Sequence, residues 1–307
     1  MTDAEPAPET PSKTAAPPPV GLLGLGLMGR PVAARLAAAG RDVLAWNRRD
    51  VGLTEDETDP PGGGTLRTVD AVGDLARCEV VLSLLPDLAP LEERLEHLLG
   101  PGSRLRVLVV MSTVSPTAVR ATGERLAERG VGVVDAPMSG GTAGAREGRL
   151  AIMLGGSDAD VARVRPLLEP VASRIEHLGP LGAGSLTKAC NQMVVSATTI
   201  ALAEAALIAQ RQGLDRAQVF DVLSGGLAAS EVLDQKRRAL EEDDFTVTGP
   251  AKYLVKDLGF ARDAAGEAAD ALPVLAASER TWAAVVETGR GDEDTTVVLD
   301  VLRDRAR

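Results

Sequence analysis

Histidine, cysteine and aromatic side chains are all scarce in this chain. The two histidines, His97 in a charged helical stretch and His177 on an expected strand beside Gly179, leave little material for a histidine proton relay or a zinc site. Cys78 and Cys190 alone form neither a disulfide framework nor paired metal-ligand spacing. Two buried thiols in a reducing compartment are expected. With aromatics at 2%, few rings exist to sandwich a large planar substrate. Basic residues are also in deficit, 33 against 44 acidic ones, for a net charge of -11. That argues against a nucleic-acid partner, because phosphate-backbone binding relies on clustered Lys and Arg that release counterions, and no basic stripe appears.

What is present suits two packed domains: 307 residues, of which 45% are hydrophobic. Residues 1–19 carry six prolines among Ala, Thr and Glu, a composition that cannot bury enough apolar surface to order itself. They read as a disordered tail. The tail lacks the apolar core of a secretory signal and the arginines of a mitochondrial presequence, so a cytoplasmic protein is expected.

From residue 20 onward, apolar runs bounded by turn residues alternate with helical stretches. Val20–Leu25, Asp42–Asn47, Val80–Leu85, Val107–Met111 and Val131–Ala136 read as strands, with helices over Met28–Ala39 and near 88–99 and 116–129. Leu150–Leu154 and Arg174–Leu178, flanking a helix near 158–169, are expected to complete the same parallel sheet. Gly24-Leu25-Gly26-Leu27-Met28-Gly29 falls between the first strand and first helix. Glycines there allow a tight turn, close approach of backbone to a pyrophosphate, and packing of helix on strand. The helix N-terminus then faces the phosphates. After the second strand, where an NAD enzyme usually places Asp or Glu on the ribose, this chain has Asn47-Arg48-Arg49. Arginine can hold a 2′-phosphate, so NADP(H) is preferred over NAD(H), with Arg48 the main contact. The following acidic stretch, Thr54 to Gly64, would not attract a phosphate.

From Ser185 to Gln212 there is no Gly or Pro, and Gly213 stands at the expected C-terminal stop. The resulting helix would be roughly 40 Å long at about 1.5 Å per residue. Lys188, Asn191 and Gln192 fall at i, i+3 and i+4 and share one face. From Met193 to Ala209 the helix is apolar nearly all round, which suggests burial on both sides. A membrane span is the rival reading. The stretch is short for about 20 residues of hydrocarbon, contains Glu204 and has no companion span, so a helix buried between two domains or two subunits is expected.

Met111-Ser112-Thr113-Val114-Ser115-Pro116, Asp135-Ala136-Pro137-Met138-Ser139-Gly140-Gly141 and Lys256-Asp257-Leu258 join the glycine loop and the Lys188 segment as ordered blocks. Together they resemble the β-hydroxyacid dehydrogenase family, which includes 3-hydroxyisobutyrate dehydrogenase, tartronate semialdehyde reductase and the glyoxylate or succinic semialdehyde reductases. The resemblance runs from about residue 20 to the C-terminus. It implies an α/β Rossmann domain over 20–181, joined by the long helix to an all-α domain over 182–307, the chains pairing as dimers or tetramers. By the same resemblance, Ser139, Gly140 and Gly141 would bind the substrate carboxylate, and Leu85, Pro86 and Thr113 would line the nicotinamide end. Lys256 would approach the cofactor from the second domain, Lys188 would be catalytic, Asn191 would hold the substrate and Gln192 would sit beside it.

Each residue also has a plainer reading: Ser139-Gly140-Gly141 as a turn, Thr113 as a helix cap, Lys256–Asp257 as an exposed ion pair. Two departures from the family stand out. An acidic Gly/Pro-rich loop replaces the short helix after the second strand. Asn191-Gln192 stands where some members have Asn-Asn, a variant associated with tartronate-semialdehyde-type reductases. The expected substrate is a small carboxylate with an aldehyde or ketone next to, or one carbon beyond, the acid group. Relatives of this architecture that reduce imines typically place Asp or Tyr where Lys188 stands. A nucleotide-binding module without turnover is a further alternative, in which Lys188 and the serine-glycine loop would have no evident reason to coexist.

Overall fold

The computed structural model describes residues 18–307, so the expected tail falls almost wholly outside the described residues. The first apolar run forms β1 (Val20–Leu23), buried along its length, and the glycine loop leads into α1 (Gly29–Ala38). β2 (Asp42–Trp46) follows, then a single-turn helix α2 (Glu55–Thr58) and a short strand β3 (Thr65–Thr68). After β4 (Val80–Ser83) come two short helices, α3 (Leu88–Glu92) and α4 (Leu95–Leu98). β5 (Val107–Val110), α5 (Pro116–Ala127) and β6 (Gly132–Asp135) complete a six-stranded sheet. All its neighbours are parallel and its order is β3-β2-β1-β4-β5-β6. The order reverses between β1 and β4, which opens a crevice at their carboxyl ends, where doubly wound sheets bind dinucleotides. One apolar layer, including Leu22, Val32, Leu36 and Val109, fills one face of the sheet; Leu23, Leu75, Leu91 and Leu108 belong to the layer on the other.

Three expectations are corrected here. The stretch after β2 is not a loop throughout: Thr54 and Glu57 form a capping box, Glu57 accepting the Thr54 N–H at 2.9 Å, and this closes the turn of α2. Glu57 also grips Arg30 of α1 through Nε and Nη2 at 2.5 and 2.6 Å. β3 was not anticipated, because Leu66 is its only buried residue and leaves no periodic signal. The third correction concerns the later strands, which do not extend the parallel sheet. β7 (Met138–Ser139) runs antiparallel to β8 (Leu150–Leu154), and β9 (Ala172–His177) runs parallel to β8, in a separate three-stranded sheet. The physical reason lies between β7 and β8: Gly140 and Gly141 take φ of 126° and 63°, reversing the chain into the short α6 (Gly141–Glu147). α7 (Asp158–Leu168) then links β8 to β9.

α8 (Ala183–Arg211) is a 29-residue helix, followed by α9 (Arg216–Ser224), α10 (Glu231–Glu242), α11 (Lys252–Ala265), α12 (Pro273–Glu287) and α13 (Val298–Arg305). Leu202, Ala203 and Ala206 of α8 pack with Phe220, Leu254 and Trp282 in a separate helical core. By length and composition α8 would suit a membrane, with a mean hydropathy of 1.6 over its best window. In the fold, α10 to α13 cover one flank. Burial on both sides, expected from the sequence, is met on one side only within a single chain: Leu186, Cys190, Val194 and Ile208 are exposed along the other. Cys190 is therefore not the buried thiol anticipated, whereas Cys78 is.

Candidate active site

A cavity of about 740 Å³ lies between the carboxyl ends of the large sheet and helices α8, α10 and α11. Its sheet side begins at the glycine loop. Gly24 has φ +97°, a conformation that side chains rarely adopt, and a Cβ on Gly29 would fall 1.8 Å from the Gly24 carbonyl oxygen. The helix can start there only because residue 29 is glycine. A Cβ on Gly26, by contrast, would meet nothing within 4 Å, so that backbone stands open to a ligand. Asn47 at the end of β2 braces the loop, accepting the Leu25 N–H at 3.0 Å and donating to the Arg49 carbonyl at 2.8 Å. Arg48 and Arg49 are exposed and make no side-chain hydrogen bond or ion pair among the described residues. The loop, the open Gly26 and the two arginines fit a dinucleotide laid along the β1–β4 crevice.

Met28, Leu85, Pro86 and Thr113 line the cavity where the loops after β1, β4 and β5 converge. The Ser112 hydroxyl donates to the Leu85 carbonyl and ties two of those loops together. Thr113 is not the cap of α5; Ser115 fills that place, with its Oγ accepting from the Ala118 N–H. The Thr113 carbonyl instead accepts from Lys256 Nζ at 2.6 Å, a contact that spans 143 residues of sequence. Lys256 is paired with Asp257 at 3.0 Å and lies 4.9 Å over the Phe260 ring. The pair is not the exposed one the plainer reading described, since Asp257 is buried.

The start of α8 is fixed by a carboxylate from the sheet. Asp135, fully buried at the end of β6, accepts the backbone N–H groups of Gly182 and Ser185 and so fills orphan donors at the helix N-terminus. Burial lifts the Asp135 carboxyl above the ordinary carboxylate range, opposed by those N–H donors. One turn further on, Lys188 faces the cavity with Asn191 and Gln192 beside it and the Ser139-Gly140-Gly141 turn in the same lining. Lys188 is 7% exposed and makes no side-chain hydrogen bond or ion pair among the described residues. Burial pulls its amine down to about 8; Asp257 opposes this and Lys256 adds to it. Gln192 Nε2 donates to Asp257 Oδ2 at 2.7 Å, so α8 and α11 are joined behind the lysine. An amine in that state can either donate or accept a proton near neutrality.

The cavity thus gathers the expected Lys188, Asn191, Gln192, Ser139, Gly140, Gly141, Leu85, Pro86, Thr113, Lys256 and Met28. Gly24, Leu25, Gly26, Leu27, Gly29, Asn47, Arg48 and Arg49 lie outside its lining, along the loop after β1, at the first residue of α1 and just after β2. Sequence reasoning missed the α10 wall, with Glu231, Gln235 and Lys236, and Tyr253 on α11. The spacing of Tyr253, Lys256 and Asp257 at i, i+3 and i+4 was a usable signal for the last of these. Neither histidine lines the cavity.

Comparison with known proteins accords with this geometry. Residues 19–179 match the model for the NAD-binding domain of 6-phosphogluconate dehydrogenase, and residues 182–302 match the model for the NAD-binding region of NADP-dependent 3-hydroxyisobutyrate dehydrogenase. The chain is 31% identical to 2-hydroxy-3-oxopropionate reductase of Escherichia coli (strain K12), covering 92% of this chain and 96% of that one. It is 32% identical to the probable 3-hydroxyisobutyrate dehydrogenase-like 2, mitochondrial, of Arabidopsis thaliana, covering 95% of each. Among solved structures, 3-hydroxyisobutyrate dehydrogenase from Salmonella typhimurium superposes with a TM-score of 0.79 at 26% identity, covering 92% of this chain and 99% of that one. A parallel Rossmann sheet, the long α8 and a helical C-terminal region, closing on an NAD(P) crevice, mark the chain as a member of the β-hydroxyacid dehydrogenase family of oxidoreductases.

Proposed function

We propose that this protein interconverts a hydroxyl and a carbonyl on a small carboxylic acid, with Lys188 as the acid–base group. The observation that carries this reading is a buried amine, without a hydrogen-bond or ion-pair partner among the described residues, set in the cleft beside two amides and the Ser139 turn. When bound, the nicotinamide cofactor takes or gives a hydride at ring carbon C4. In the oxidative direction neutral Lys188 accepts the proton of the substrate hydroxyl as the carbon–oxygen bond becomes double. In reduction the ammonium polarises the carbonyl and returns that proton to the alkoxide. A lysine at about 8 keeps both forms populated near neutral pH. The Ser139 hydroxyl and the N–H groups of Gly140 and Gly141 hold the carboxylate, and Asn191 orients the reacting end. The E. coli relative is named for a hydroxylated oxo acid and the Arabidopsis one for a hydroxy acid, both of the size this site suits.

NADP is the preferred cofactor in this reading, because Arg48 and Arg49 stand exposed after β2 and form no ion pair among the described residues. The exposed apolar side chains of α8, Leu186, Val194 and Ile208, suit pairing with a second copy. Lys188→Ala tests the assignment: turnover should fall about a hundredfold or more with cofactor binding retained. Near-normal steady-state rates in that variant would refute it.

A further inference from the structure

We infer that Arg30 and Glu57 form a clasp that positions the loop carrying Arg48 and Arg49, and that this pair thereby sets discrimination between an adenosine 2′-phosphate and a 2′-hydroxyl. This rests on the cofactor reading above and adds two positioning residues that act through the loop. The loop leaves β2 at Asn47, whose side chain accepts from the Leu25 N–H and donates to the Arg49 carbonyl, so its near end is pinned to the glycine loop. Its far end is pinned by Arg30, the residue after Gly29 on α1. Arg30 Nη1 donates to the Val51 carbonyl and Nη2 to the Gly52 carbonyl, both at 3.2 Å. Val51 and Leu53 pack against the apolar layer that holds Val32 and Leu36 of α1. Between the two anchor points, Arg48, Arg49 and Asp50 are exposed.

A guanidinium on a long side chain holds two carbonyls in place only if its own plane is fixed. Glu57 fixes it, with Oε1 on Nε at 2.5 Å and Oε2 on Nη2 at 2.6 Å, a fork that sets direction as well as distance. Oε2 also accepts from the Thr54 N–H and hydroxyl at 2.9 and 3.0 Å, so the carboxylate is anchored to the turn of α2. The Arg30 bonds, with those from Thr54, hold the Glu57 carboxyl down to about 2, and it stays ionised at neutral pH. Arg30 stands on the first turn of α1, where a pyrophosphate is expected, yet its bonds commit it to the loop and to α2. A loop held in place loses less freedom when its arginines close on a phosphate. That gain goes to NADPH, since NADH offers those guanidinium groups no 2′-phosphate to grip. Proximity of charge alone predicts the opposite sign: an acid on this loop would repel a 2′-phosphate, and its removal would tighten NADPH. Under the clasp, removal loosens it.

The test measures Kd for NADPH and for NADH by fluorescence enhancement on the full chain, with thermal unfolding to verify that each variant is folded. Glu57→Gln should lower the ratio of the NADH Kd to the NADPH Kd about fivefold to tenfold, nearly all of it through NADPH. Arg30→Lys keeps the charge but loses the fork, and it should do the same. In a background of Arg48→Ala with Arg49→Ala, adding Glu57→Gln should leave the ratio unmoved, because the clasp acts through those side chains. A raised or unchanged ratio in Glu57→Gln, equal losses for both cofactors, or an effect that persists without Arg48 and Arg49 overturns the inference. The wild-type ratio reports separately on the cofactor reading. A value below one removes the NADP preference, and the clasp then stands or falls on whether Glu57→Gln still lowers the ratio.

Discussion

Replacing Lys188 by methionine should make the protein more stable and nearly inactive at once. Methionine keeps the length of the side chain and removes the charge. Burial, opposed by Asp257 and aided by Lys256, takes the lysine from an ordinary 10.5 to about 8. At roughly 1.36 kcal/mol per pH unit, carrying the ammonium into the fold costs on the order of 3 kcal/mol. Because the folded value lies below the unfolded one, the unfolded chain binds more protons between about 8 and 10.5, and wild-type stability rises with pH across that window. The cost is full below the window and absent above it. Lys188→Met should therefore exceed the wild type by up to about 3 kcal/mol at neutral pH. At roughly 2–4 °C per kcal/mol, that is a rise in Tm of several degrees. Thermal unfolding of the cofactor-free proteins at a series of pH values measures it, and the gap should close as pH climbs through the window. A variant less stable than the wild type at neutral pH, or a gap indifferent to pH, would show that the amine is not held against its hydration.

The ion pair behind the α10 wall should behave in the opposite sense. Burial works against ionisation of Asp294, yet Lys236, Thr248 and the Thr296 N–H hold its carboxyl down to about 2. Its contribution is present above the ordinary 3.8 and is lost as pH falls through about 2. Asp294→Asn leaves Lys236 without a counter-charge and should cost about 3–5 kcal/mol in urea unfolding; a loss within experimental error would contradict the buried pairing. Gly29→Ala places a methyl against the Gly24 carbonyl and should cost about 1–3 kcal/mol while abolishing the fluorescence enhancement of bound NADPH. Arg48→Ala should raise the KM for NADPH about tenfold and leave that for NADH nearly unchanged; equal effects on both would remove the arginine from the 2′-phosphate.

Much of this architecture was legible because its signals are local. The strand runs at β1, β2, β4, β5 and β6, the glycine pattern and the unbroken stretch of α8 each depend on residues within a turn or a strand of one another. The trio Lys188, Asn191 and Gln192 needed only the helical period. β3 was not legible, since one buried leucine makes no pattern, and the capping box of α2 was passed over within an acidic run that reads as loop. The separate β7-β8-β9 sheet depends on a reversal at Gly140 and Gly141 that composition does not announce.

The amino-acid order by itself determined the succession of strands and helices, the loop where a pyrophosphate can approach backbone, and the placement of one lysine among amides on a long helix. Hydrophobic period and steric freedom at glycine act over a few residues, so they are written in the chain. Only the tertiary structure decided that Asp135 anchors the helix carrying Lys188, that Asp257 and Lys256 stand near its amine, and that Gln235 meets the Gly140 turn. Those contacts join groups far apart in the chain, and the low polarisability of the packed cleft sets how strongly each is felt.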